Sequence, residues 1–280
     1  MSKLKFIKTL ASGNEGHRRL SSEGQRIRTR QPDLICCTGN YTKIEIPPMV
    51  LPLIVGGQRA QQGQFPSMAA IMNNGRQFCG GSILDSTHVL TAAHCIAHMG
   101  GTELSRVTLQ IGDHAIYSTS DGPHQTKKVS RLSKHKQFSS TTLHNDIAIL
   151  TLSSPVTYNS NVRAISPSSS SGSTATVAGW GRLYDGGMFP SVLYYVNVNI
   201  VPNSSCKQTY GSRAPGGIIS SMVCAGSRAG DACSGDSGGP LMVGGSQIGI
   251  VSWGIGCGGY PGVYTRVSSF LPWIQKNQRH

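Results

Sequence analysis

An all-β fold is predicted by three features of this 280-residue chain. Its 35 glycines suit short strands joined by many turns. Alternation in Ile147-Ala148-Ile149-Leu150-Thr151-Leu152 and in Val196-Asn197-Val198-Asn199-Ile200-Val201 has the period of two that sends every second side chain to one face of a strand. No helical stripe of comparable length appears before Ser269-Phe270-Leu271-Pro272-Trp273-Ile274, where Ser ahead of Pro and apolar residues predicts one short C-terminal helix. The length allows one large or two small domains with a real core. The sequence has no internal repeat and no apolar run of membrane-spanning length, so no membrane partner is expected.

The net charge is +13, of which residues 1–53, with nine Lys/Arg and four Asp/Glu, hold +5 and the remainder +8. A basic protein can bind nucleic acid, polyanions or anionic surfaces, although solvated surface lysines account for the same balance. The best candidate polyanion patch is Lys127, Lys128, Arg131, Lys134 and Lys136. Eight cysteines, six of them after Ile54, point to an oxidising compartment if they pair; six cysteines allow fifteen pairings. Asn40-Tyr41-Thr42 and Asn203-Ser204-Ser205 are candidate glycosylation acceptors.

Candidate chemistry lies in four strings: Ile54-Val55-Gly56-Gly57, Thr91-Ala92-Ala93-His94-Cys95, Asn145-Asp146-Ile147-Ala148-Ile149-Leu150 and Gly235-Asp236-Ser237-Gly238-Gly239-Pro240. A serine hydroxyl is a weak nucleophile at neutral pH. It needs a base within hydrogen-bond reach, and the base needs a third group to fix its tautomer. Histidine suits the middle role because its unperturbed pKa lies near the working pH, at about 6.5. His98, His114, His124, His135 and His144 carry no such context and are expected to be solvated loop residues.

In that order and with those neighbours, the strings resemble the chymotrypsin/trypsin family of serine endopeptidases, specifically its secreted, arthropod-type members with three disulfides. The resemblance runs from Ile54 almost to the C-terminus and implies two six-stranded antiparallel β-barrels with the short C-terminal helix. The barrels would divide near Pro167–Ser173, and the active site would lie between them. It implies Ser237 as nucleophile, His94 as base and Asp146 as its orienting carboxylate, with the Gly235 and Ser237 amides as oxyanion hole. It pairs Cys79 with Cys95, Cys206 with Cys224 and Cys233 with Cys257. Asp231 falls at the floor of the primary specificity pocket, with Gly254 and Gly262 as its small walls. That implies cleavage after Arg or Lys, and Ala232, lacking the hydroxyl that trypsin has there, favours Arg. Ser252, Trp253 and Gly254 would offer a strand edge to extended substrate, and Leu143 an apolar wall beside His94. Polypeptide substrates, an activating protease and protein protease inhibitors are the implied partners of a monomer. No cofactor and no metal are expected: Pro261 replaces the aromatic residue of sodium-regulated relatives, and Asp113 has no convincing second carboxylate at calcium-loop spacing, with Asp121 read as a turn residue before Gly122.

Family members are zymogens whose cleavage frees the Ile amine to pair with the Asp before the catalytic Ser, here Ile54 and Asp236. The residue before Ile54 is Leu53, where Arg or Lys is usual, so an Arg-cutting enzyme would not activate itself. Either a protease that accepts Leu activates the chain, or the leader is not the native one. Residues 1–53 read as a basic, disordered leader, or as the remnant of an arthropod clip domain, since Asp33-Leu34-Ile35-Cys36-Cys37 faintly resembles its closing cysteine pair. Lys3, Lys5 and Lys8 interrupt the sole candidate signal-peptide core, so secretion is expected from the disulfides rather than from a visible signal. The competing reading is a catalytically silent homologue serving as an adaptor; such homologues usually lose a triad member, and this chain has lost none.

Overall fold

The computed structural model describes residues 56–226 and 230–279. The expected leader, with Cys36 and Cys37, and the activation residue Ile54 lie outside the described residues. Strands β2 (Met68–Asn73), β3 (Arg76–Ile83), β4 (His88–Thr91), β5 (Val107–Ile111), β6 (Gln125–Lys134) and β7 (Ala148–Leu152) close an antiparallel barrel in the order β2-β3-β4-β7-β6-β5. Strands β8 (Thr174–Gly179), β9 (Tyr194–Val201), β10 (Met222–Gly226), β11 (Pro240–Val243), β12 (Ser246–Trp253) and β13 (Gly262–Arg266) close the second, the β8–β9 pairing joining the ends of the sheet. The short β1 (Gln58–Arg59) adds to β9 outside that ring. Both alternating segments of the sequence are strands: 148–152 crosses the first barrel and 194–201 the second.

Each barrel encloses its own core. Ile71, Leu90, Leu109 and Ile149 fill the first, and Val177, Val198, Leu241 and Tyr264 the second. A further cluster, with Met68 and Met72 against Trp180 and Met242, cements one barrel to the other. Burying a side chain of this size is worth about 1.5–3 kcal/mol, so this seam contributes materially to fixing the cleft. The crossing chain is more than a tether. Ser168 N donates to Gln247 O (2.9 Å) and Gln247 N to Ser166 O (3.0 Å), while the Ser82 hydroxyl of the first barrel donates to Gln247 Oε1 (2.6 Å).

The C-terminal helix α4 (Leu271–Gln278) follows a 3-10 turn, Val267–Phe270, and starts with Pro272 in its first turn, where a missing N–H costs nothing. Ser269 belongs to that turn and does not cap the helix. Val267, Phe270 and Ile274 pack into the core of the first barrel, so the tail of the second barrel straps the two together. After the single turns α1 (Ala93–Ile96) and α2 (Gly101–Leu104) comes helix α3 (Asn203–Tyr210), which was not legible in its polar sequence; Cys206, bonded to Cys224, pins it to β10. The three disulfides are Cys79–Cys95, Cys206–Cys224 and Cys233–Cys257, the pairing that the resemblance implied. They close loops of 16, 18 and 24 residues, each a constraint on the unfolded chain of about 3 kcal/mol.

Three histidines differ from the solvated-loop expectation: the His124 side chain is only 20% exposed, with Nδ1 3.7 Å from Asp113 Oδ2. His114 is buried, its carbonyl accepting the Trp180 indole N–H at 3.1 Å, and His135 packs its ring edge-on to Phe270 and against Trp273. Asn203 spends its side-chain amide on the carbonyls of Ile219 (2.9 Å) and Met222 (3.0 Å), so a glycan there would displace bonds that hold α3. No helix among the described residues is long and apolar enough to cross a membrane.

Candidate active site

His94 sits in the single turn α1 (Ala93–Ile96) directly after β4, and Asp146 precedes β7, the strand paired with β4. The pairing brings two residues 52 positions apart into contact: His94 Nδ1 lies 2.7 Å from Asp146 Oδ2, and the His94 backbone N–H donates to Asp146 Oδ1 at 2.8 Å. Asp146 is wholly buried while the imidazole remains about a quarter exposed (26%), so one ring edge is held and the other faces the cleft. Ser252 of the second barrel donates its hydroxyl to Asp146 Oδ2 at 2.5 Å, and Thr265 donates to the Asp146 carbonyl at 2.8 Å. Every lone pair of a buried carboxylate that finds a donor offsets part of its desolvation. The Ser252 contact was missed in the sequence, where Ser252-Trp253-Gly254 reads only as a substrate edge.

Ser237 approaches from the loop before β11. Gly80 N donates to Ser237 O at 2.7 Å, and the Cys95 sulfur lies 3.7 Å from that oxygen and 3.8 Å from His94 Nε2, so the serine backbone and the imidazole flank one disulfide sulfur, while the Ser237 hydroxyl makes no hydrogen bond among the described residues. The close approach dictates glycine at 238: a Cβ there would overlap the Thr91 hydroxyl and stand 2.5 Å from the Gly80 carbonyl, with φ at +82° besides. Gly235 has φ +100°, a region that L side chains avoid, and a Cβ would stand 2.8 Å from the Phe189 ring. Gln77 Nε2 donates to Gly235 O at 2.8 Å and fixes this peptide. Neither the Gly235 nor the Ser237 amide donates to any acceptor among the described residues, leaving both N–H groups open to a ligand.

A cavity of about 250 Å³ opens beside Ser237, with Asp231 at its buried end and Gly254 and Gly262 on its walls. A Cβ at Gly262 would lie 2.7 Å from Asp231 Oδ1, and at Gly254 nothing stands nearer than 3.9 Å, so side chains at these places would fill the slot. Asp231 Oδ1 accepts the Ala232 N–H at 2.7 Å and faces the Tyr264 hydroxyl at 3.5 Å. Burial nevertheless pushes its carboxyl up to about 7, outweighing the Ala232 N–H that lowers it. Tyr210 supports the entrance: its hydroxyl donates to Pro261 O at 2.6 Å, and its ring packs against Trp253 and Tyr260. Asp236 is 1% exposed and accepts N–H groups from Gly181 (2.8 Å) and Cys233 (2.9 Å); burial raises its carboxyl to about 6.

Away from the cleft, Asp121 stands beside Asp113 and is spent on the turn itself. Asp121 Oδ2 accepts the N–H groups of His114 (3.1 Å) and Ala115 (2.7 Å), and burial together with the Asp121 charge raises Asp113 to about 6 against the pull of His124. Among the described residues, His94, Cys79 and Cys95 form the one group of three metal-capable donors within 4.8 Å of one another, and its sulfurs are joined in a disulfide. Lys127, Lys128, Arg131 and Lys134 lie along β6 with Lys136 just beyond it; Lys127 Nζ donates to Pro155 O and Lys134 Nζ to Ala97 O.

Two closed six-stranded antiparallel barrels with a short C-terminal helix, and an imidazole held by a buried carboxylate in the cleft, are the architecture of a serine-type endopeptidase. The Trypsin family model matches residues 54–274. Among curated proteins, trypsin delta of Drosophila melanogaster is 40% identical over 249 residues, covering 86% of this chain and 95% of the relative. Trypsin I-P1 of Gallus gallus is 39% identical over 230 residues, 79% of this chain and 88% of the relative, and cationic trypsin-3 of Rattus norvegicus is 39% identical over 231 residues, 80% and 88%. The chain belongs to the trypsin family of serine proteases.

Proposed function

We propose that this serine endopeptidase cleaves polypeptides after Arg, and less readily after Lys, through an acyl-enzyme built on Ser237, His94 and Asp146. The observation that carries the specificity is Asp231, buried at the closed end of the cavity that Ser237 also lines. An acid kept out of water without a cation is costly, and a guanidinium that enters the slot restores the charge by a bidentate pair. Ala232 offers no hydroxyl to help a shorter ammonium, which favours Arg.

The chemistry follows the family's established course. Ser237 Oγ attacks the scissile carbonyl carbon while its proton moves to His94 Nε2; the carbonyl oxygen becomes an oxyanion facing the Gly235 and Ser237 N–H groups. His94 returns the proton to the leaving nitrogen, the C–N bond breaks, and an ester to Ser237 remains. Water, deprotonated by His94, hydrolyses it. Asp146 stabilises the imidazolium in both halves, and each oxyanion donor contributes about 3 kcal/mol. Ser252, Trp253 and Gly254 hold the substrate backbone, and Leu143 offers the apolar wall beside His94.

Activation is assigned to cleavage before Ile54, whose new amine pairs with Asp236 and orders the 231–237 segment; removing either partner leaves a buried charge alone. A protonated amine so held is stabilised until the pH rises through its elevated pKa, so activity should fall on the alkaline side. Three disulfides support an extracellular setting, with protein inhibitors and an activating protease as partners. The test is to produce residues 54–280 with a free Ile54 amine and assay peptides ending in Arg, Lys, Phe, Leu and Ala. The expected order is Arg, then Lys, with the other three near background. Preference for Phe or Leu would overturn the Asp231 assignment, and silence toward all five would favour an adaptor.

A further inference from the structure

A second carboxylate, Asp185, lines the same cavity as Asp231 but at its mouth. It belongs to the loop between β8 and β9, which folds back on itself: Leu183 N donates to Met188 O (3.3 Å) and Gly187 N to Tyr184 O (2.8 Å). Arg182 N donates to Ser234 O at 2.7 Å, so the loop is pinned three residues before Ser237 and its tip cannot drift far from the slot. Asp185 Oδ2 stands 3.7 Å from the position a Cβ would take on Gly256, two residues beyond the Gly254 wall.

The charge of Asp185 is uncommitted. The loop's own cation, Arg182, lays its guanidinium over the Phe189 ring at 4.5 Å and donates to the Gly187 carbonyl, and Asp185 has no hydrogen bond or ion pair among the described residues. Most of the acids that follow Ile54 are at least partly buried; Glu103 and Asp185 are the two exposed ones, and Glu103 is spent on the Gly100 N–H at 2.8 Å. On a chain with a surplus of positive charge, the one exposed acid without a partner among the described residues therefore stands at the entrance to a slot that already ends in an acid.

From this we propose, resting on the Arg/Lys reading above, that Asp185 is a second specificity-determining residue and selects substrates with two basic residues. In an extended peptide, side chains alternate between faces, so the residue two positions before the scissile one returns to the slot's side of the backbone about 7 Å away. A Lys or Arg there spans that distance and brings its cation to Asp185. The pair is solvent-exposed, so its effect is modest and salt-sensitive.

The activated enzyme is assayed at low and high salt on Arg-Ala-Arg, Ala-Ala-Arg and Glu-Ala-Arg fluorogenic peptides, as wild type, Asp185→Asn and Asp185→Lys. At low salt the wild type is expected to cut the Arg-Ala-Arg peptide about threefold to fivefold better in kcat/KM than Ala-Ala-Arg, mainly through KM, with Glu-Ala-Arg poorest. Asp185→Asn should level the three, Asp185→Lys should reverse their order, and high salt should narrow the wild-type spread. The comparison is read as the ratio between peptides within each variant, so any change that Asp185→Asn brings to cleavage of Ala-Ala-Arg itself cancels. Equal rates on all three peptides in the wild type, or a spread that survives Asp185→Asn, would overturn this proposal alone. Failure to cut any of them would overturn the Arg/Lys reading, and this inference with it.

Discussion

Replacing Ser237 with Ala is expected to lower kcat for Arg-ended peptides by about 10⁶-fold, the scale of losing a nucleophile that acts as one unit with its base. Ser237 is held through its backbone by Gly80 N, not through its hydroxyl, so the substitution removes the attacking oxygen without loosening the loop. The slot, with Asp231 and its glycine walls, is untouched. Binding of an arginine-ended product or a small guanidinium ligand should therefore be retained, and a residual rate above that of water should persist from the open amides and from binding. Activity assays beside a calorimetric binding measurement separate the two. Undiminished turnover would refute the nucleophile, and loss of binding together with turnover would mean that the loop itself had collapsed.

The second large effect concerns Asp231. Changing it to Ser is expected to lower kcat/KM for Arg peptides by about 10²–10⁴-fold, because the entering guanidinium is stripped of water and meets no charge. The same change should stabilise the empty protein. Asp231 titrates near 7 in the fold against an ordinary 3.8, chiefly because burial disfavours its charged form. A raised acid makes the native state bind more protons than the unfolded one, so its penalty is absent below about pH 4. The penalty grows as pH rises toward 7 and then levels at roughly 4 kcal/mol. Asp231→Ser should thus melt higher than wild type at pH 8 and alike at pH 4. In the Ser237→Ala background, affinity for a guanidinium ligand should weaken by about tenfold for each pH unit below 7, because the slot must first give up its proton. A flat affinity profile, or a drop in melting temperature at pH 8, would contradict this account of the slot.

The parts of this site that the sequence revealed are those encoded in contiguous strings. His94, Asp146 and Ser237 each sit in a segment whose local turn is set by its own residues, such as the glycines flanking Ser237, and so each string carries its geometry with it. The two regular strands were legible because 148–152 and 194–201 keep their period without a break. What remained hidden depends on contacts between distant segments. The Ser252 bond to Asp146 joins positions 106 apart, and nothing in Ser-Trp-Gly announces that the hydroxyl points backward into the other barrel. Asp113 and Asp121 meet because their loop turns on itself and spends Asp121 on two backbone N–H groups, which spacing alone does not reveal. His114 is buried, and its carbonyl is tied to Trp180 of the opposite barrel. Helix α3 escaped because its residues are polar and its place is fixed by a disulfide and by Asn203, not by an apolar stripe. Asp185 escaped for the opposite reason: it makes no hydrogen bond or ion pair among the described residues, and only the pinned loop shows where its charge stands.

The reading of this chain as an Arg-directed serine protease joins one nucleophile to one slot, and a single reagent tests both at once. An aryl ester of guanidinobenzoic acid carries the cation for Asp231 and an acyl group that deacylates slowly. Rapid acid quench of the activated enzyme followed by peptide mass analysis is expected to find one guanidinobenzoyl group per chain, on Ser237, with a matching burst of the released phenol, and almost none in Asp231→Ser. An adduct on another residue, or the absence of any burst from a folded chain with a free Ile54 amine, would contradict it.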